Sequence, residues 1–536
     1  MIVIRNNIIY SIKMKIIKII IILKICTLGL LIFAENNIQS TIKNQLILYE
    51  NTSVPQHVFN TFSNEVILLN QFSTLISANY DLSEKLSIII YNPEIFISLN
   101  TLRPFSYNDG AMWQGRGINT KTTIGFELRS PRISFRLYPN FWMAQNADID
   151  IISAESSSGY GDYWKIYDHL QRYGDSEYSE FNWGKSDIRF HYNNLTIGIS
   201  NENITLGPGV KNNIILGSQG SGFPHIDFGT IGLIPILNIG IFEYRGVYGI
   251  LEESEFFDDD NSNNYGWISG STFGFSPNNL KALTLGFNYY YTKPLESLDK
   301  LDSVRLIPGL DKSNSAIDLK DVMVSATFNL DYDSVGFKLY GELARNDAFG
   351  SMNDLWRQPE HTSAYTIGFS QSIYKTVNCS LSLAGELTNL EQTRTQELRA
   401  AGPWYRHDWA GWEQGYSNKG QLLGSTIGPG SNSQWIKLQY IKNKKMLSIS
   451  FQRIAHDKDY YYKLFKEQFS ETGILKEGDT LRQYTEAIIS IDAMYLIKNY
   501  SIYGQIAYNP HMYYAFKNVP TINNIHLELG ISYNLN

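Results

Sequence analysis

The stretch Ser334-Val335-Gly336-Phe337-Lys338-Leu339-Tyr340-Gly341-Glu342-Leu343-Ala344 decides the fold. Val335, Phe337, Leu339 and Leu343 fall on one side of an extended chain, and Lys338, Tyr340 and Glu342 on the other. Successive side chains of a strand point to opposite faces, so this is a strand with one apolar and one polar face. Leu283, Leu285, Phe287, Tyr289 and Tyr291 alternate in the same way with Thr284, Gly286 and Asn288. Val377, Cys379, Leu381, Leu383 and Leu387 oppose Asn378, Ser380, Ser382 and Glu386, and Leu447, Ile449 and Phe451 oppose Ser448, Ser450 and Gln452. The C-terminal segment sets Ile525, Leu527, Leu529, Ile531, Tyr533 and Leu535 against His526, Glu528, Ser532 and Asn534. A tilted strand needs roughly 9–11 residues to cross hydrocarbon, and these runs have that length.

The connections sharpen the reading. Strands 320–330 and 335–344 join through 331–334, and 364–373 and 376–388 join at Tyr374-Lys375. Strands 433–441 and 446–453 join through Asn443, and 485–496 and 500–508 join at Lys498-Asn499. Between these pairs lie the long stretches 345–363, 389–432, 454–484 and 509–523. Short turns alternating with long loops are the arrangement of an all-β, antiparallel transmembrane barrel, with the short turns in the periplasm. A secreted sandwich has no reason to alternate so regularly. Upstream, 186–192 pairs with 195–202, 267–276 pairs with 281–291, and 232–250 forms a pair turning near Arg245-Gly246. Between Leu86 and Tyr138 there is room for about four strands at that strand length. The count comes to roughly 16 to 20, and an even number is expected. The barrel is assigned to 86–536, and 35–85 is a periplasmic segment that forms a small helical piece or the first strands.

Residues Met1 to Ala34 carry Arg5, Lys13, Lys15, Lys18 and Lys24, no acidic residue, and an apolar run from Ile16 to Phe33. A basic start, an apolar middle and a small residue at the end make a secretory signal, with Met14 an alternative start. The chain then goes to the outer membrane of a Gram-negative cell. Losing these five basic residues takes the formal charge from −7 to −12, which excludes the basic footprint of a nucleic-acid binder. Of the two cysteines, Cys26 lies in the signal, so Cys379 stands alone. Neither an internal disulfide nor a cysteine-held metal can form. No cofactor is indicated. Asp258-Asp259-Asp260-Asn261 reads as a solvated loop tip, because its spacing fits no calcium loop.

Two long segments are rich in aromatics beside polar groups. One contains Trp404, Tyr405, Arg406, His407, Trp409, Trp412 and Tyr416; the other contains Tyr163, Trp164, His169, Arg172 and Tyr173. The apolar face of a sugar ring stacks on such rings while neighbouring polar groups bond its hydroxyls. The same residue types also build interface girdles and loop cores in barrels. No Gly-x-Ser-x-Gly or His-Glu-x-x-His motif is present, and neither His407-Asp408 nor His456-Asp457 has an evident serine partner, so catalysis has little support.

The run Asn203 to Thr230 resembles the signature of the Wzi-type capsule assembly proteins, in the branch found in Bacteroidetes-like bacteria. Gly207, Pro208, Gly209, Asn213, Gly222, Phe223, Pro224 and His225 carry the match, while Ser218-Gln219-Gly220-Ser221 departs from it. Asp109, Trp113 and Gly115, within 108–117, resemble the family's early glycine–tryptophan motif. Gln171-Arg172-Tyr173-Gly174 is similar to a second motif, and Trp404 to His407 with 415–421 and Gly424 to a late loop. The resemblance spans 90–535. It implies about 18 strands, a small helical periplasmic portion, a closed lumen, and non-covalent retention of exported capsular or extracellular polysaccharide. Contact with the export machinery is a further expectation. A porin or substrate-specific channel is the alternative, and a barrel hydrolase a third reading.

Overall fold

The computed structural model describes residues 77–83, 86–151, 171–231, 234–257, 261–298, 320–346, 356–376, 378–395, 402–405, 415–472 and 481–533. The expected signal, 1–34, lies outside them, as does most of 35–85. The described part of that segment, Ser77–Ser83, is a strand paired with Leu86–Asn100.

The sheet is a closed antiparallel barrel of 18 strand positions. Three positions are interrupted. Ile133–Leu137 continues into Asn140–Ala144, Tyr178–Asn182 into Asp187–Tyr192, and His225–Thr230 into Ile234–Ile236. Closure comes from Leu86–Asn100, which pairs with Gly117–Arg129 on one side and Ile522–Tyr533 on the other. Ser77–Ser83 extends that second side where Ile522–Tyr533 stops. Closure satisfies the backbone groups that an open edge would leave unpaired.

The alternation in sequence becomes an inverted distribution of polarity. Outward-facing Leu343, Ile449 and Ile491 are 60%, 50% and 49% exposed, while inward-facing Glu342, Ser448, Gln452 and Asp492 are all buried. A large exposed apolar band around a polar interior is costly in water and favourable in lipid. Inward charges pair across strands: Arg136 with Asp187 and Glu202, and Arg189 with Asp227 at 2.8 Å.

One end carries the short turns 130–132, 193–194, 237–239, 278–282, 333–336, 376–378, 443–444 and 498–499. Asn193, Gly336, Asn443 and Lys498 take positive φ there, as tight turns require. The other end carries the long connections, among them 101–116, 145–177, 201–224, 390–431 and 456–484, the last holding helix Lys458–Thr472.

Two sequence expectations need correction. The pair within 232–250 does not turn at Arg245-Gly246. Both lie inside strand Gly240–Glu252, which pairs with His225–Thr230 and Ile234–Ile236 across a turn at 237–239. Arg245 points into the lumen, 3.5 Å from Asp227. Between Leu86 and Tyr138 there are three strand segments, not four, because the connection 101–116 occupies the space of the fourth.

Candidate functional site

The connection 201–224 folds inward at the long-loop end and is held by lumen carboxylates. Glu386 accepts hydrogen bonds from the backbone N–H groups of Val210 (2.7 Å), Lys211 (3.1 Å) and Asn212 (2.8 Å), and from the Tyr340 hydroxyl (3.0 Å). Glu342 accepts from the Ile214 N–H at 3.0 Å, and the Thr366 hydroxyl donates to the Asn212 carbonyl at 3.1 Å. Charge-assisted bonds of this kind offset the desolvation of a buried carboxylate. Gly207 has φ +91° and lies where a Cβ would stand 2.9 Å from Glu342 Oε2. At Gly209 a Cβ would stand 2.5 Å from the Asn212 carbonyl oxygen. The Gly207-Pro208-Gly209 turn is therefore shaped by its approach to the carboxylates, and Asn213 sits beside it, buried.

Two further connections complete a roof. In 101–116, Asp109 accepts from Tyr107 N (2.8 Å), Ser106 Oγ (3.0 Å) and Gln114 Nε2 (2.8 Å), which fixes the loop on itself. Burial pushes the Asp109 carboxyl above its usual range. Gly110 N donates to the Ser218 carbonyl, and Tyr107 bridges Asn212 and Gln452 at 2.7 Å each. From the late connection, Tyr405 and Tyr416 donate to the carbonyls of Ile214 and Ile215, both at 2.8 Å, and Gly217 N donates to the Leu423 carbonyl. The Asn418 amide reaches Ser221 Oγ at 2.7 Å. At the far end of 201–224, Phe223 is buried, Pro224 accepts from Ile250 N, and His225 Nδ1 lies 2.8 Å from the Phe223 carbonyl.

The structure brings together what the sequence kept far apart. The Trp113 ring lies 4.8 Å from the Tyr173 ring, and the Tyr173 hydroxyl donates to the Lys419 carbonyl at 2.8 Å. Gly115 has no room for a side chain against Trp113. Thus 108–117, 171–174, 203–225 and 415–424 all meet in the roof. Beneath it lies a cavity of about 100 Å³, lined by Tyr107, Asp109 and Lys211 of the loops and by Lys437, Asp492 and Glu528 of the strands. Burial lowers the Lys211 ammonium below its usual value.

The expected sugar-contact residues divide into three groups. Trp404, Tyr405 and Tyr416 are fully buried, with Tyr405 and Tyr416 stacked 5.8 Å apart and the Tyr405 ring packed on Gly424. All three rings are covered and the two tyrosine hydroxyls are committed to the roof, so these three are not carried into the proposed sugar contacts. Arg172 is anchored at the rim, where Nη1 reaches Asp148 at 2.7 Å and Nη2 the Asn146 carbonyl at 3.0 Å. Arg406, His407, Trp409, Trp412, Tyr163 and Trp164 lie outside the described residues, as do His169 and Asp258 to Asp260. Tyr416 N donates to the Tyr405 carbonyl at 3.0 Å, so both ends of 406–414 are pinned at one point of the roof. Sequence reasoning missed Trp356, whose ring is 78% exposed at the long-loop end. It also missed Glu342 and Glu386, whose only sequence signal was an acid on the polar face of a strand.

No nucleophile–base–acid arrangement emerges among the described residues. His456 pairs with Glu486 at 2.7 Å, and Asp457 Oδ1 accepts from Tyr460 N at the helix start. Ser134 Oγ lies 3.0 Å from His191 Nε2, but no carboxylate holds the other ring nitrogen, as a triad requires.

No protein-family model and no curated protein sequence matches the chain. Its fold is that of Wzi, an outer-membrane protein involved in group 1 capsule assembly in Escherichia coli and a carbohydrate-binding β-barrel. That similarity has a TM-score of 0.59 at 12% identity and covers 94% of this chain and 99% of that one. OccAB1 of Acinetobacter baumannii matches at a TM-score of 0.37 and 12% identity, over 83% of this chain and 97% of that one. OccK5 of Pseudomonas aeruginosa matches at 0.37 and 9%, over 85% and 99%. The first of these is a likeness of fold; the other two are too distant to bear on function.

Proposed function

We propose that the chain is an outer-membrane barrel that holds exported capsular or extracellular polysaccharide at the cell surface without covalent chemistry. The observation that carries this reading is the roof. Loop 201–224 crosses the mouth to Glu386 and Thr366, loop 101–116 bonds to Gln452 and Asn524, and 415–431 bonds to 201–224, which suits a binding platform better than a channel. Fold similarity to a carbohydrate-binding barrel agrees with it, although a fold alone does not set function.

The contacts to the polymer are assigned to 406–414, whose ends the Tyr405–Tyr416 bond pins to the roof. Arg406, His407, Trp409 and Trp412 are the proposed binding residues there. Tyr163, Trp164 and the rim-anchored Arg172 form a second group, and the exposed Trp356 a third. Individually weak sugar sites hold a long polymer when many copies engage it at once. The short-turn end then faces the periplasm, where the export machinery approaches.

The test is a Trp409→Ala/Trp412→Ala variant in the cell that makes the polymer. The expected result is a folded, surface-displayed barrel and polysaccharide shed into the medium. Retention equal to the parent in that folded variant refutes the assignment. Trp404→Ala is the control, since its ring is buried and its loss acts on the roof itself.

A further inference from the structure

The overall charge is acidic, yet one arc of the short-turn rim carries only cations. Strands Ser363–Lys375, Cys379–Asn389, Asn432–Lys442, Lys445–Ala455, Thr485–Ile497 and Tyr500–Met512 are consecutive neighbours. Their short turns bear Lys442, Lys444, Lys445 and Lys498, all exposed, with Lys375 flanking. Hydrogen bonds tie the turns into one surface. Asn443 N donates to the Asn378 carbonyl at 2.8 Å, and Leu496 N donates to the Lys444 carbonyl at 2.9 Å.

The arrangement is unfavourable as it stands. Lys442 and Lys445 are direct cross-strand partners, and like charges so opposed repel. The stretches 371–379, 440–447 and 495–502 contain no acidic residue. Lys445 lies 4.8 Å from the centre of the Tyr495 ring. Tyr374, Tyr440, Tyr495 and Tyr500 are exposed on the same side at 56%, 41%, 40% and 38%. Amphipathic rings in that position mark the depth of a membrane interface, so the lysines stand at head-group level.

We propose that this arc binds the phosphate groups of anionic phosphoglycerolipids in the leaflet facing the short turns. A lysine ammonium is a compact cation suited to phosphate oxygens, and a phosphate shared by Lys442 and Lys445 turns their repulsion into attraction. Anionic lipid thereby completes the inner collar of the barrel. The inference rests on the membrane reading of the barrel and is independent of any polysaccharide.

The test is a native mass-spectrometric titration of the full-length refolded barrel in detergent, with phosphatidylglycerol and separately with phosphatidylcholine. The unmodified chain is expected to retain phosphatidylglycerol preferentially. The Lys442→Gln/Lys444→Gln/Lys445→Gln/Lys498→Gln variant is expected to weaken by about fivefold for each lysine removed. Lys281→Gln, on the same rim outside the arc, leaves retention unchanged. Heat-modifiable gel mobility checks folding, and Lys444→Gln/Lys498→Gln serves if the fourfold variant does not fold. Equal retention of both lipids, or of phosphatidylglycerol by chain and variant, overturns the proposal. So does full competition by millimolar inorganic phosphate, which marks a simple anion site. A variant that keeps phosphatidylglycerol but loses binding to peptidoglycan sacculi also overturns it, in favour of a cell-wall contact.

Discussion

Removing the Glu386 carboxylate should release the roof while leaving the barrel intact. In a Glu386→Ala variant the N–H groups of Val210, Lys211 and Asn212 and the Tyr340 hydroxyl lose their acceptor. Each buried donor left unmade costs about 1–3 kcal/mol, and water entering the lumen recovers part of that. Relief of the carboxylate's own desolvation reduces the loss further. A net weakening of about 3 kcal/mol in the anchoring of 207–216 follows from these terms. That corresponds to an approximately hundredfold larger released fraction. Hydrogen exchange of peptides covering 207–216, measured in detergent, should accelerate by that factor, while exchange in strand Cys379–Asn389 stays slow. Planar-bilayer conductance should rise in parallel. Glu386→Gln keeps one acceptor oxygen and should fall between the two. Unchanged exchange at 207–216 in the Ala variant would sink the argument, because the tyrosine bonds to Ile214 and Ile215 would then suffice.

Other consequences are open to measurement. Gly207→Ala forces a side chain into φ +91° beside Glu342 and should cost the roof about 1–2 kcal/mol, seen as faster proteolysis of the loop with unchanged heat-modifiable mobility. Ile491→Lys puts a charge on the outward mid-strand face and should lower folding stability in bilayers by about 2–4 kcal/mol; a soluble, stable variant would contradict the lipid-facing assignment. Asp459, at the start of helix Lys458–Thr472, has its carboxyl pushed up to about 6 by burial and by Asp457, against the 2.7 Å pull of Arg394. An acid whose folded value lies above its unfolded one costs the fold nothing below the unfolded value, increasingly more up to about 6, and the full amount above it. The helix should therefore resist trypsin better at pH 5 than at pH 7.5, by at most about 3 kcal/mol, and Asp459→Asn should remove that dependence.

The barrel was legible because lipid imposes a period of two on every strand and because the two ends use connections of different length. Strands 337–346 and 522–533 could be read to within a few residues for that reason. The reading failed where chemistry inverted the usual cues. At Arg245-Gly246 a charged residue before glycine imitates a turn, but the charge faces a lumen that holds Asp227 and Arg189. The real turn, Leu237-Asn238-Ile239, hides behind two apolar residues, with Leu237 88% exposed. The segments that meet in the roof stood out in the sequence, but the way they are anchored did not. The anchors are backbone N–H groups given to carboxylates more than a hundred residues away, and a backbone donor has no residue-type signature.

Aromatic richness is ambiguous for a related reason. Trp404, Tyr405, Trp409, Trp412 and Tyr416 look alike as a sequence, but the structure spends Tyr405 and Tyr416 on two adjacent carbonyls of 201–224. A ring committed in that way has no free face for a sugar, and a phenol hydroxyl buried in that way has no proton to share with one. The bond between Tyr416 N and the Tyr405 carbonyl then gives the two residues a different use, since it fixes where the intervening stretch begins and ends. A binding loop whose ends are fixed loses less entropy on engaging a ligand than one hinged at distant points. The tyrosines hold the ends of that stretch to the roof, which is why recognition is proposed for 406–414 and not for the buried pair.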